Sequence, residues 1–141
     1  MFLLDTDHLG ILQRRTRPEI DRLLPRIVAQ PPSSFYTSIV SFHEQVLGWN
    51  SYITRARDSS GTVRGYRMFL QLLSEFAAAQ VLPFDDPAAA VFDSLRAQRV
   101  RIATMDLRIA SIALDRNLIL LTRNAIDFSR VPGLKFEDWT M

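Results

Sequence analysis

Acidic residues stand at the points of this sequence where a reaction centre would need them. Asp5 and Asp7 follow a first apolar run, Glu44 lies in a long helical segment, Asp106 opens a late helix, and Asp127 follows the last buried run. A carboxylate at the end of a buried strand is costly unless it is paired, hydrogen-bonded or bound to a metal. Like charges gathered in one crevice repel strongly unless a cation neutralises them. The chain has no Cys, so such a cluster offers only hard oxygen donors, the set that selects Mg²⁺ or Mn²⁺. One or two such ions, about 3.5–4 Å apart when paired, activate water and stabilise the leaving oxygen in phosphodiester hydrolysis.

Each residue also has a structural reading. Asp5 is a good N-cap for the helix after it, and Asp7 is a second cap or a supporting partner. Glu44 lies on the ridge Val40, Glu44, Leu47, beside the apolar stripe Ile39, Phe42, Val46 and Ile53, where a solvated flank residue would also sit. Asp106 caps its helix unless Thr104 does. Thr122-Arg123-Asn124 after a strand is ordinary turn chemistry.

The elements that must position these groups alternate. Met1 to Leu4, Phe35 to Thr37, Val81 to Phe84, Leu118 to Leu121 and Leu134 to Phe136 read as short strands. Between them, helical patterns cover Asp5 to Leu12, a segment after Pro18 that Pro25 kinks or ends, Ser38 to Arg57, Thr62 to Ala79, Asp86 to Arg99, and a segment from Thr104 to the turn at Asp115-Arg116-Asn117. Asp58-Ser59-Ser60-Gly61 reads as a turn. This alternation predicts an α/β fold, a three-layer α/β/α sandwich around a central, mainly parallel sheet. In such a sheet the carboxyl ends of neighbouring strands and the starts of the following helices converge on one crevice. Asp5, Glu44, Asp106 and Asp127 belong to separate elements that would meet there.

At 141 residues the chain makes one domain spanning 1–141, and 48% hydrophobic with 23% charged residues is a globular balance. The opening MFLLDTDH carries no basic region followed by an apolar stretch, and no run is long enough to span a bilayer. A soluble, cytoplasmic protein without membrane contact is expected. Net charge is only +2, and all 17 basic residues except Lys135 are Arg. Arg14, Arg15 and Arg17 form one cluster and Arg96, Arg99 and Arg101 another; with Arg123, Arg14 and Arg15 are candidates for phosphate contact. His8 and His43 read as core or surface packing residues, and the stripe Phe69, Leu73, Phe76 as core.

The segments LLDTDHLG, SFHEQVLG, RIATMDLRIASIAL and LILLTRNAIDFSRVPGLKFEDW resemble the PIN domains of VapC-type toxins, the ribonuclease halves of bacterial toxin–antitoxin pairs. The resemblance covers nearly the whole chain, with the motifs in order. It implies a PIN-like fold and a Mg²⁺- or Mn²⁺-dependent endoribonuclease that cuts RNA with a metal-activated water, leaving 5′-phosphate and 3′-hydroxyl ends. It places the catalytic, metal-binding acids at Asp5, Glu44 and Asp106, with the fourth at Asp127 or at Asn124, and gives Thr122 a supporting role. A homodimer and a small VapB-like antitoxin are the implied partners, and the stripe Phe69, Leu73, Phe76 becomes a dimer or antitoxin surface if the core does not need it. Asp7 stands where many relatives have Asn, and Ala103 replaces a usual Gly. Asp5-Thr6-Asp7 also resembles the nucleophile motif of haloacid-dehalogenase-like phosphatases, which need a Lys near the phosphate. A non-catalytic binding module that keeps the fold is the remaining alternative.

Overall fold

The computed structural model describes residues 1–141. The chain forms β1 (Phe2–Leu4), α1 (Thr6–Arg14), α2 (Glu19–Val28), β2 (Phe35–Ser38), α3 (Ile39–Thr54), α4 (Ser59–Ala78), β3 (Val81–Leu82), α5 (Asp86–Ala97), α6 (Thr104–Asp115), β4 (Ile119–Leu121), α7 (Ala125–Phe128) and β5 (Phe136–Glu137). The strands lie in the order β3-β2-β1-β4-β5, and every pairing is parallel. From β1 the chain first builds outward through β2 and β3, then returns to the other side of β1 with β4. The sheet therefore reverses its direction of growth between β1 and β4, the point at which open α/β sheets hold their ligands.

Side chains alternate across a strand, and the central pair divides two cores accordingly. Leu3 and Leu120 join the larger cluster, with Leu95 of α5 and Ile109, Ala110, Ile112 and Ala113 of α6. Leu4 and Leu121 join a smaller cluster on the other face, with Ile11 of α1, Ile20 and Leu23 of α2, and Trp139. Helices thus cover both faces, as the uninterrupted apolar strand segments require. The small residues Ala110 and Ala113 of α6 are fully buried in the larger cluster. No helix is long and apolar enough to cross a membrane.

Several boundaries differ from the sequence expectation. The turn expected at Asp58-Ser59-Ser60-Gly61 is the opening of α4, because the Asp58 carboxylate accepts from the Gly61 N–H at 3.0 Å and caps the helix. Pro25 neither ends nor splits α2; Pro25 carries no N–H, and the helix closes around it. Thr104 does not cap α6: Ala103 occupies the cap position without a side-chain bond, and Asp106 lies in the first turn with its carboxylate free. Residues Ala125–Phe128 form a short helix where only a turn was read, and the Asn124 side chain caps it. The stripe on α4 is not core throughout. Phe76 is buried, but Leu73 is 60% exposed beside Val63, Tyr66 and Leu70, so this face of the helix is an apolar surface.

His8 is fully buried and ties the C-terminal segment to α1. Its Nδ1–H donates to Asp7 at 2.8 Å, which leaves Nε2 to accept from the Trp139 backbone N–H at 3.2 Å. The packing expectation for His8 holds, and His43 is exposed. Replacing His8 by Leu keeps the volume but leaves the buried Trp139 N–H without an acceptor, a loss of about 1–3 kcal/mol. Chemical denaturation of His8→Leu checks this, and an unchanged midpoint would refute the strut.

Candidate metal centre

Asp5 follows β1 directly and begins α1. Its Oδ1 accepts from the Thr6 N–H at 2.8 Å, so Asp5 is a helix cap, as its structural reading held. Its Oδ2 accepts from the Thr122 hydroxyl at 2.7 Å, and Thr122 is the residue after β4. This side-chain bond joins the ends of the two strands flanking the switch point, beside the backbone bond from the Asp5 N–H to the Leu121 carbonyl at 3.0 Å. Asp5 and Thr122 are both buried.

Glu44 arrives from α3 and Asp106 from the first turn of α6. One carboxylate oxygen from each of Asp5, Glu44 and Asp106 lies within 4.8 Å of the others. Asp127 stands outside this group. Its Oδ2 accepts from the Asn124 amide at 3.0 Å and its Oδ1 is 3.8 Å from the Arg130 guanidinium. The Asn124 side chain is occupied as the cap of α7, with its oxygen accepting from the Asp127 N–H. Of the two candidates for a fourth acidic position, Asn124 is thus committed to the backbone, while Asp127 carries charge that reaches Asp106.

Hydroxyl groups missed by sequence reasoning order the cluster. The Thr6 hydroxyl lies 2.9 Å from Glu44 Oε1 and 3.0 Å from the Ser41 hydroxyl. A hydroxyl has one proton to give. Thr6 therefore donates to Glu44 and receives from Ser41, whose oxygen lies 3.4 Å from the Ser38 hydroxyl. Ser38, Ser41 and Glu44 share one side of a helix start at three-residue spacing, a signal present in SIVSFHE but hidden by the apolar stripe beside it.

Asp7 plays a different part. Its Oδ1 accepts from His8, and its Oδ2 accepts from the Arg123 N–H at 2.9 Å, so it pins the loop after β4 onto α1. The phosphatase reading needs a Lys near the phosphate, and the single Lys, Lys135, precedes β5 at the amino end of the parallel sheet, opposite the end where Asp5 and Asp7 lie. Of the basic candidates, Arg123 is ion-paired with Glu19 at 3.6 Å, Arg14 lies in a groove between α1, α3 and α4, and Arg15 ends α1 in the left-handed conformation.

Electrostatics show what the cluster lacks. Burial, with the neighbouring Asp7 charge second, pushes the Asp5 carboxyl from 3.8 up to about 7. Burial, then Glu44, then Asp127 and Asp7, raise Asp106 from 3.8 to about 6. Three converging carboxylates with no cation partner among them, built from hard oxygen donors alone, fit a divalent ion such as Mg²⁺ or Mn²⁺. Asp5 caps α1 and Asp106 lies in the first turn of α6, so the positive N-terminal ends of these two helices adjoin the cluster and favour anions there.

These shifts carry a sign for stability. A carboxyl whose folded pKa lies above its unfolded value holds its proton more tightly in the folded chain. For metal-free protein, the contribution of Asp5 is fully present below about pH 3.8 and is lost as pH rises through about 7, and that of Asp106 is lost through about 6. Asp5→Asn removes the larger part of this dependence while keeping an acceptor for the Thr6 N–H. At pH 8 without metal the variant should melt above the wild type, by on the order of 2–4 °C per kcal/mol of the burial penalty and repulsion it relieves. Thermal scans from pH 5.5 to 8 decide this; parallel curves for the two proteins would sink it.

Comparison with known proteins gives the same picture. The chain is 38% identical over 64 residues to the tRNA(fMet)-specific endonuclease VapC of Salmonella typhimurium, an overlap of 43% of this chain and 48% of that protein. The chain thus spans about half the length of the curated relative it matches. Its fold is similar to that in the crystal structure of FitAcB from Neisseria gonorrhoeae, with a TM-score of 0.73 and 25% identity over 100% of both chains. It is also similar to a chain of a toxin–antitoxin complex from Klebsiella pneumoniae, with a TM-score of 0.64 and 24% identity over 95% of both chains. The PIN domain profile matches residues 2–134. With the parallel sheet and its acidic switch point, that match over nearly the whole sequence establishes that this chain belongs to the PIN domain family.

Proposed function

We propose that the chain is a divalent-metal-dependent endoribonuclease, the toxin of a toxin–antitoxin pair. The observation that carries the reading is the meeting of Asp5, Glu44 and Asp106 within 4.8 Å at the switch point of the sheet. In this reading those three residues hold Mg²⁺ or Mn²⁺, and Asp127 adds charge from just outside. Such an ion supplies an activated water and offsets the charge that builds on the scissile phosphate.

The chain's own groups prepare the site. Thr122 holds one oxygen of Asp5, and the Thr6 N–H holds the other, so the carboxylate is fixed before any ligand arrives. Thr6 fixes Glu44 through Oε1 and leaves Oε2 free. The helix N-termini around the crevice favour the phosphate anion. Attack by water on the phosphorus with expulsion of the 3′ oxygen leaves 5′-phosphate and 3′-hydroxyl ends, and the proposed place of action is the cytoplasm.

The relative from Salmonella typhimurium is named as an endonuclease, and the similar chain from Klebsiella pneumoniae belongs to a toxin–antitoxin complex. By analogy, a small VapB-like antitoxin and a second copy of this chain are the proposed partners. The exposed apolar face of α4, with Val63, Tyr66, Leu70 and Leu73, offers surface for such contacts.

The reading predicts cleavage of a mixed RNA pool with Mg²⁺ or Mn²⁺, none with EDTA, and none by Asp5→Asn or Asp106→Asn. Thr122→Val should retain the metal ligands yet lose about 10–100-fold in rate, as loss of an orienting partner does. Cleavage that persists at full rate in EDTA, or in both Asn variants, would refute it.

A further inference from the structure

We infer that the groove between α1, α3 and α4 is a binding track for single-stranded RNA, leading away from the acidic centre; this rests on the ribonuclease reading. The groove begins one helical turn, about 5.4 Å, beyond the cluster on two helices at once. On α3, Gly48 lies one turn after Glu44, and nothing comes within 4 Å of the place a Cβ would take there, so the floor is open. On α1, Gly10 lies one turn after Thr6, and the Arg14 guanidinium folds back over it, 2.9 Å from the Cβ position. Arg14 is thus aimed along α1 toward the acidic end.

Beyond these glycines the groove opens into a cavity of about 380 Å³ that Arg14, Trp49, Tyr52 and Arg55 help to line. A second cavity, of about 670 Å³, adjoins it and is lined by Arg64 and Arg67; Tyr52 belongs to both. The ion pairs of this chain use Arg17, Arg26, Arg116, Arg123 and Arg130. None uses Arg14, Arg55, Arg64 or Arg67, and all of these are exposed. Glu75, the carboxylate on the wall of the first cavity, is already held by Gln13 at 2.7 Å and Gln71 at 2.8 Å, and Gln13 in turn bonds Gln45. That network fixes the wall; Arg55 Nε donates to the Ser51 carbonyl at 3.3 Å and the Arg64 guanidinium lies over the Tyr52 ring at 5.9 Å, so neither is neutralised by a carboxylate. Trp49 and Tyr52 stand half-buried between them, edge to face at 5.3 Å.

Guanidinium groups without carboxylate partners, spaced along a trough with aromatic rings between them, are what a flexible polynucleotide strand requires. The guanidinium fork matches phosphate, and a ring face stacks a base without regard to its identity. A duplex cannot offer its bases to such rings, so the ligand is single-stranded. The track uses Arg14 of the sequence candidates, whereas Arg123 is paired elsewhere.

Binding of a fluorescently labelled 12-nucleotide oligouridine, measured by anisotropy in EDTA, tests the track without any need for catalysis. Trp49→Ala should weaken binding roughly 5- to 150-fold, the effect of one lost stack, and Trp49→Phe should restore most of it. Arg55→Ala with Arg64→Ala should lower the slope of log affinity against log salt by roughly 1.4, two phosphates' worth for a single strand. Arg96→Ala, on α5, should change neither. Equal affinity and equal salt slope in wild type and groove variants, or no binding by the wild type, would overturn the inference and leave the groove to a protein segment. Metal-dependent cleavage with unaltered groove variants would remove the track alone. Groove-dependent binding with no cleavage would keep the track and remove the nuclease.

Discussion

The burial of one carboxylate, Asp5, is the constraint around which this molecule is arranged. An ionised acid at the end of a central strand is unfavourable in a packed domain, and Asp5 is buried directly after the buried strand residues Leu3 and Leu4. The fold answers by bringing the end of β4 alongside the end of β1, so that the Thr122 hydroxyl meets it, and by starting α1 at once, so that the Thr6 N–H meets it too. Glu44 and Asp106 then intensify the problem instead of relieving it. A structure that gathers negative charge where it is least comfortable retains free energy that a bound cation would release.

Polar struts keep that arrangement from spreading apart. Asp7 and His8 link the loop after β4 to α1 and α1 to the segment around Trp139, across more than a hundred residues of sequence. Gln13, Gln45 and Glu75 link three helices in the same way. Each strut is a set of fully partnered groups, which is the condition under which buried polarity stabilises a single arrangement.

Much of this was legible in the residues. The strands are apolar runs, the parallel sheet follows from alternation, and Asp5, Glu44 and Asp106 meet as their positions on separate elements implied. What escaped was decided by groups whose type is common and whose partners are distant in sequence. Thr6 and Ser41 are unremarkable until α1 and α3 are packed together. Asp127 and Asn124 could not be ranked because the short helix α7, which commits Asn124 to its cap, is only four residues long and leaves no periodic signature. The α4 stripe has the spacing of a core face, yet Leu73 points to solvent, because periodicity reports that a face is apolar and not what covers it. Trp49, Tyr52 and Arg55 were read as part of an ordinary helix, since only the facing walls of α1 and α4 turn that surface into a groove.

The two tryptophans sit in opposite settings, and that gives the chain a pair of optical reporters. Trp139 is 4% exposed, packed edge-on against Phe2 at 4.7 Å, covered by the Arg26 guanidinium at 4.4 Å, and its indole N–H donates to Glu137 at 2.6 Å. Its emission belongs to the fold and is sheltered from quenchers in solution. Trp49 stands half-buried at a groove wall, where iodide, acrylamide or a stacked base can reach it. Collisional quenching therefore separates the two signals, so that one spectrum follows unfolding through the first ring and occupancy of the groove through the second.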